Sequence, residues 1–120
     1  MTEYLIFGVS YSKQHEHIEW LMVGRDADRK LAGLFLATRS FVVDLIKTDS
    51  ASFRTAVMKE KKYHKGAEVV IYDDEYLTTV PDASEANNLE NLPSFSMPED
   101  EIDAALKVAV KEVLGLETQE

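Results

Sequence analysis

Between Gly66 and Pro93 the chain reads GAEVVIYDDEYLTTVPDASEANNLENLP. No other stretch constrains the fold as much, because here the strongest strand signal runs straight into an anchored loop. Ala67, Val69 and Ile71 alternate with Glu68, Val70 and Tyr72 in a run rich in β-branched residues, the pattern of a strand inside a sheet. Neither side of the run is polar throughout, which predicts cover on both. Asp73, Asp74 and Glu75 break it as a tight turn or bulge, and Tyr76 to Val80 resume an extended path until Pro81, which has no N–H to give a ladder. Beyond it, Pro81-Asp82, Asn87-Asn88 and Asn91 are turn formers, while Leu89 and Leu92 supply two apolar anchors. The stretch spells out no chemistry.

The residues before it predict more strands. Tyr4 to Tyr11 places Leu5, Phe7, Val9 and Tyr11 on one side and Tyr4, Ile6, Gly8 and Ser10 on the other. After the polar turn Ser12 to Glu16, a second run from His17 to Gly24 alternates Ile18, Trp20 and Met22 with Glu19, Leu21 and Val23, so the two runs read as an antiparallel hairpin. Leu31 to Thr38 fits a third strand or the lead-in to a helix, and the strand is the preferred reading. From Ser40 to Lys47, Phe41 and Leu45 with Val42 and Ile46 mark a short helix that Thr38 or Ser40 can cap. Phe53 to Met58 reads as a strand, with Lys59 to Lys65 as a polar hairpin tip.

Past Pro93, Ser96 is a candidate N-cap and Pro98 stands near the first helical position. Glu99, Asp100, Glu101 and Asp103 suit the positive end of a helix dipole. Ile102, Ala105, Leu106, Ala109 and Val113 form an apolar stripe and Gly115 fits the closing position. The expected architecture is α+β: a mostly antiparallel sheet of four or five strands, a short middle helix, and a C-terminal amphipathic helix. Residues 1–97 form the small domain, 98–115 a helix packed on it by the stripe or extending it, and 116–120 a frayed tail.

A chain of 120 residues suits one domain and buries roughly two-thirds of its unfolded surface without a covalent staple. It holds no cysteine, which excludes a disulfide framework, a thiolate zinc site and a cysteine nucleophile. No apolar run reaches the roughly 18 residues of a membrane span, and no basic leader precedes the first strand. The expectation is a soluble, unprocessed, cytoplasmic protein. Its net charge of −9 is unevenly placed: residues 1–65 hold 11 Lys or Arg against 8 Asp or Glu, and residues 66–120 hold 2 against 14. That balance speaks against a nucleic-acid partner and for a solubilising acidic half that can also dock a basic protein.

The segments Tyr76-Leu77-Thr78-Thr79-Val80-Pro81-Asp82 and Asn87-Asn88-Leu89-Glu90-Asn91-Leu92-Pro93 resemble the closing signature of a family of small bacterial proteins called domain of unknown function 3892. That signature is a Tyr-Leu-x-Thr-x-Pro-Asp segment leading into Asp-Asn-Leu-x-Asn-Leu-Pro, with Asn87 here in place of the usual Asp. The resemblance covers residues 66–93 by motif and 1–65 by pattern, and it leaves the helix after Glu99 outside. It implies strands around a short helix and assigns no catalytic or binding residue. Within the signature, Tyr76, Leu77, Pro81, Asn88, Leu89, Asn91, Leu92 and Pro93 are expected to be structural, the amides bonding loop backbone while the leucines plug the core.

Candidate chemistry is sparse. His15 and His17, two apart on an extended segment, face the same way and can share a metal ion, but no third ligand is evident and solvated histidines are the plainer reading. Asp73, Asp74 and Glu75 offer oxygen ligands or acid–base groups, yet without calcium-loop spacing they read better as a solvated turn. Lys59 to Lys65, with Tyr63 and His64, is a small basic patch that lysines on an exposed hairpin explain. There is no Gly-x-Ser-x-Gly elbow and no phosphate-cradling glycine loop. No cofactor is implied. The leading expectation is therefore a non-enzymatic interaction or accessory module; the alternatives are an acidic mimic that occupies a partner's nucleic-acid-binding surface, and a metal-dependent enzyme. Oligomeric state is left open.

Overall fold

A computed structural model describes residues 2–14, 17–28, 30–80 and 88–116. Six strands and two helices follow in the order β1 (Thr2–Tyr11), β2 (Ile18–Ala27), β3 (Lys30–Thr38), α1 (Arg39–Lys47), β4 (Ala51–Lys59), β5 (Lys62–Tyr72), β6 (Tyr76–Thr79) and α2 (Glu99–Leu114), with a 3-10 turn at Leu89–Asn91 before α2. The strands form one sheet in the order β3-β2-β1-β4-β5-β6. The class is α+β as expected, but the sheet has six strands and is mixed: β1 and β4 run parallel, and every other neighbouring pair is antiparallel. The extra strand is the short β6. The parallel pair arises because α1 carries the chain from the β3 edge back over the sheet, a connection that no tight turn can make.

Two bulges decide which side chains meet the core. Along β1 the partner of Ile6 is Val23 and the partner of Gly8 is Met22, so Phe7 is an extra residue. An extra residue shifts the alternation by one. Tyr4, Ile6, Val9 and Tyr11 therefore share the core side, and the expected grouping of Leu5 and Phe7 with Val9 and Tyr11 does not hold. A second shift, between Ser10 and Tyr11, makes Glu19 the extra residue of β2 and puts Ile18 beside Leu21 and Val23. These side chains pack with Val42 and Val43 of α1, Phe53, Val69, Leu77, Leu89 and Leu92. Thr38 caps α1, accepting the Phe41 N–H at 3.2 Å. A third bulge, at Gly66 and Ala67 opposite Thr55, is held by the buried Thr55 hydroxyl, which accepts the Ala67 N–H at 3.0 Å.

The opposite side of the sheet is polar at its centre. Lys65 of β5 lies 2.7 Å from both Glu3 of β1 and Asp26 of β2, and the Tyr63 hydroxyl donates to Asp26. Contact between β2 and β5 across two intervening strands requires a strongly curled sheet. Cover on both sides of β5, expected from its sequence, is incomplete, since Glu68 and Tyr72 are exposed. Lys59 to Lys65 does form a hairpin tip, and Glu60 and Lys61 turn it with positive φ.

After the 3-10 turn the chain returns to β1. Val9 donates to the Pro93 carbonyl and accepts from Phe95 N–H, both at 3.0 Å. β2 already occupies one edge of Val9, so this tail fills the other, past the point where pairing with β4 ends at Ile6. Pro98 rather than Ser96 then precedes α2, with no side-chain cap bond, and Gly115 ends the helix at φ 68°. None of the described α2 residues is buried, so the stripe is not the packing face expected for it. The expectations for His15, Glu16, Pro81, Asp82 and Asn87, and for fraying beyond Leu116, fall outside the described residues.

A Cβ at Gly8 would stand 3.1 Å from the Pro93 carbonyl. Gly8→Ala is expected to shift the tail slightly against β1 and cost about 1–3 kcal/mol in chemical denaturation. The charge network sets a pH dependence. Hydrogen bonds to Asp26 and then Glu3 push the Lys65 ammonium up from 10.5 to about 12. A value raised in the folded state adds stability that is fully present below the unfolded pKa and is lost as pH rises through the folded one. Tyr63, raised by its bond to Asp26, acts in the same sense. Thermal unfolding should fall steeply between pH 10.5 and about 12, and Lys65→Met should flatten that fall.

Candidate functional site

A hollow of about 470 Å³ opens where the start of β2, the first turn of α1, the β5–β6 hairpin and the Asn88–Glu90 segment converge. This size falls within the range of small-ligand sites. One wall is a clamp of planar groups. The ring of His17 stacks on Tyr76 with centroids 4.1 Å apart, and the Arg39 guanidinium sits over the same ring at 5.0 Å. Tyr72 lies beside Tyr76 at 5.5 Å. Arg39 is held in turn by two bonds from the same nitrogen, to the Ile18 carbonyl at 3.0 Å and to Glu19 at 3.2 Å. It occupies this place because it is the first residue of α1, directly after the Thr38 cap. Tyr76 comes to it because the turn at Asp73 and Asp74, both at positive φ, sends β6 back along β5.

The floor and rim differ in character. Leu77 and Leu89 are buried beneath the hollow. Leu89 N–H donates to the Thr79 hydroxyl at 3.2 Å, tying the 3-10 turn to β6. Asn88 precedes that turn without capping it. Its Oδ1 is shut off from solvent and has no hydrogen-bond partner among the described residues. An acceptor left in that condition costs about 1–3 kcal/mol. Across the hollow, the Tyr11 hydroxyl is pushed up first by burial and then by the charge of Glu90. The Tyr76 hydroxyl is raised as well, first by its hydrogen bond to Glu75.

Of the residues singled out in the sequence, His17, Tyr76, Leu77, Asn88 and Leu89 come together at this hollow. Leu92 is buried in the same core. Pro93 lies farther on and serves through its carbonyl. Asn91 is exposed and donates its N–H to the Asn88 carbonyl at 2.9 Å. Asp73, Asp74 and Glu75 stay exposed on the hairpin turn, where Asp74 meets Lys47 at 3.0 Å. No three His, Asp or Glu side chains converge among the described residues. The sequence reading passed over Arg39 and Tyr11. A lone arginine at a helix start carries no motif, and only the fold brings it over a ring 37 positions later.

A second surface is α2. Its acidic first turn reaches the β1–β2 end through Lys13, whose ammonium lies 2.8 Å from Asp100. The remainder projects, and Leu106, Val113 and Leu114 are 60%, 78% and 63% exposed. No helix among the described residues is long and apolar enough to cross a membrane.

The clamp makes a specific energetic claim. Tyr76→Leu keeps apolar bulk but removes the ring, and Arg39→Met removes the cation. In a double-mutant cycle the two should show a coupling of about 0.5–2 kcal/mol, whereas additive losses would mean that the ring and the guanidinium act independently.

Comparison with curated proteins and with solved structures returns no match. The sequence profile of one family, described as Protein of unknown function (DUF3892), matches residues 6–93, which takes in β1 from Ile6 onward, the other five strands, α1 and the wall and floor of the hollow while leaving α2 outside. On that match, which spans most of its length, the chain belongs to the DUF3892 family.

Proposed function

We propose that this protein is a small non-enzymatic interaction module that docks a basic partner protein through its acidic C-terminal half, with α2 as the docking arm. The observation that carries this reading is the state of α2: sixteen residues of helix with none buried, and an apolar stripe turned to solvent beyond the half-buried Ile102. A helix of that length extends about 24 Å, and an amphipathic helix left uncovered is the form taken by segments that lie in a partner's groove. Its flanks hold Glu99, Asp100, Glu101, Asp103 and Glu112 against Lys107 and Lys111. The groove it suits is therefore apolar with a basic rim. Charge of this kind speeds and orients encounter more than it strengthens the final complex.

The excess of 14 acids over 2 bases after residue 65 also supports a second reading, in which the acidic surface mimics nucleic acid on a partner that binds it. The two readings differ in salt dependence, because exposed charges are screened within about 8–10 Å at ordinary ionic strength. A cytoplasmic setting is part of the proposal.

Affinity capture of the tagged protein from a nuclease-treated lysate of its own host, at low and high salt, tests both. Under the docking-arm reading one protein is retained at both salts, and Leu106→Asp with Val113→Asp abolishes retention without lowering the melting temperature. Retention only at low salt and indifferent to those substitutions favours the mimic. Capture of the same protein by the doubly substituted chain at both salts rejects the docking arm.

A further inference from the structure

β3 is an outermost strand of the sheet, and among the described residues nothing pairs with its free side. Natural sheets guard such an edge by keeping it short, charged or covered. This one is nine residues long and carries no charge from Leu31 to Thr38. Leu34, Phe35 and Leu36 in its middle are 56%, 43% and 45% exposed. They point to both sides of the sheet: Phe35, paired with Val23, lies on the α1 side and meets Tyr4 edge to face at 6.0 Å, whereas Leu34 and Leu36 lie on the other. The one irregularity is Gly33, bulged at φ 85° just before this trio. On the α1 side, Phe35 and the exposed Phe41 line an apolar notch of about 140 Å³ that reaches Val23, Val42 and Phe53.

The free backbone groups of an edge are met by another extended segment, and the side chains here call for one that is apolar and uncharged. We propose that this segment is β3 of a second copy, paired antiparallel about a two-fold axis at Phe35. With the axis there, Phe35 meets its own counterpart and Leu34 meets Leu36, so the exposed apolar residues cover one another. Moving the axis to Leu34 or Leu36 sets Phe35 against Gly33 or Leu34 against Thr38.

Area and charge both favour this occupant. Taking roughly 200 Å² for a whole side chain of this size, the exposed halves of Leu34, Phe35, Leu36 and Phe41 amount to about 400 Å² on each copy. That is a large patch for a monomer, and two such patches with their strand edges approach the roughly 1,200 Å² at which specific interfaces begin. The pairing is therefore a reversible dimer. A chain of net charge −9 repels its own copy, and least where no charge stands. β1, β2 and β3 belong to residues 1–65, whose 11 Lys or Arg outnumber 8 Asp or Glu, while the acidic excess falls after residue 65. An uncharged edge also offers nothing to a charged peptide.

The test is sedimentation velocity of the full chain across a range of concentrations. A reversible monomer–dimer equilibrium is expected, with no larger species, and added salt should strengthen it by screening the net repulsion. Leu34→Lys with Leu36→Lys sets like charges face to face across the axis and should weaken association by about tenfold or more. Leu34→Lys with Leu36→Glu sets opposite charges face to face in the same register and should recover most of that loss. Both positions are exposed, so the amide spectra of the variants should keep the fold of the unchanged chain. A monomer at every concentration would overturn the self-pairing and leave the edge to an extended segment of another protein. Oligomers that grow past the dimer, or equal losses in the two β3 variants, would overturn the two-fold at Phe35. A dimer lost in Leu106→Asp with Val113→Asp but kept in both β3 variants would place the contact on α2 and overturn the assignment as well.

Discussion

The pair of hydrogen bonds between Val9 and the Pro93–Phe95 segment is the constraint on which the arrangement of the C-terminal half depends. β1 is a central strand, and its pairing with β4 stops at Ile6. Without the tail, the backbone groups of Val9 would face an open edge inside the fold, and buried groups of that kind are almost always paired. Bringing the tail there fixes the ends of everything between β6 and Phe95. Leu89 and Leu92 then fall onto the core shared by Ile6, Val42 and Leu77. Gly8 eases the approach, since a Cβ there would stand 3.1 Å from the Pro93 carbonyl and make it give way slightly.

The same closure creates the hollow. β6 is four residues long and paired on one side to β5; its other restraints are side chains, namely Tyr76 between His17 and Arg39 contacts and Thr79 bonded to Leu89 N–H. A short strand held by rings and a guanidinium leaves space that a longer, laddered strand would fill. The hold on β6 and the walls of the hollow thus come from one set of residues, and that set belongs to the segment matched by the family profile. α2 lies beyond the match, and its first turn meets the body through an exposed ion pair that solvent screens. Its projection is therefore set by the chain path after Pro93 more than by packing.

Within the sequence, alternation and punctuation were enough to locate five of the strands, the short helix with Thr38 as one of two candidate caps, the lysine-rich hairpin tip and the C-terminal helix. These are local signals: period, caps and turn residues act within a few positions. They also separated Leu89 and Leu92 from their polar surroundings as anchors. The sequence alone likewise determined the charge asymmetry and the absence of thiol chemistry.

Tertiary structure decided the rest, because each remaining feature depends on residues far apart in the chain. Alternation alone does not reveal the bulges at Phe7 and Glu19, which move Tyr4, Ile6 and Ile18 to the core side. The parallel pairing of β1 with β4 follows from where α1 crosses. Arg39 and Tyr76 form a site only because the sheet curls and the hairpin turns back, and Asn88 becomes an orphaned acceptor only once Leu89 is drawn into the core beside it. For α2, the sequence specified an amphipathic helix, but whether its stripe meets the sheet or the solvent was a matter of chain direction after Pro93, which no periodicity encodes.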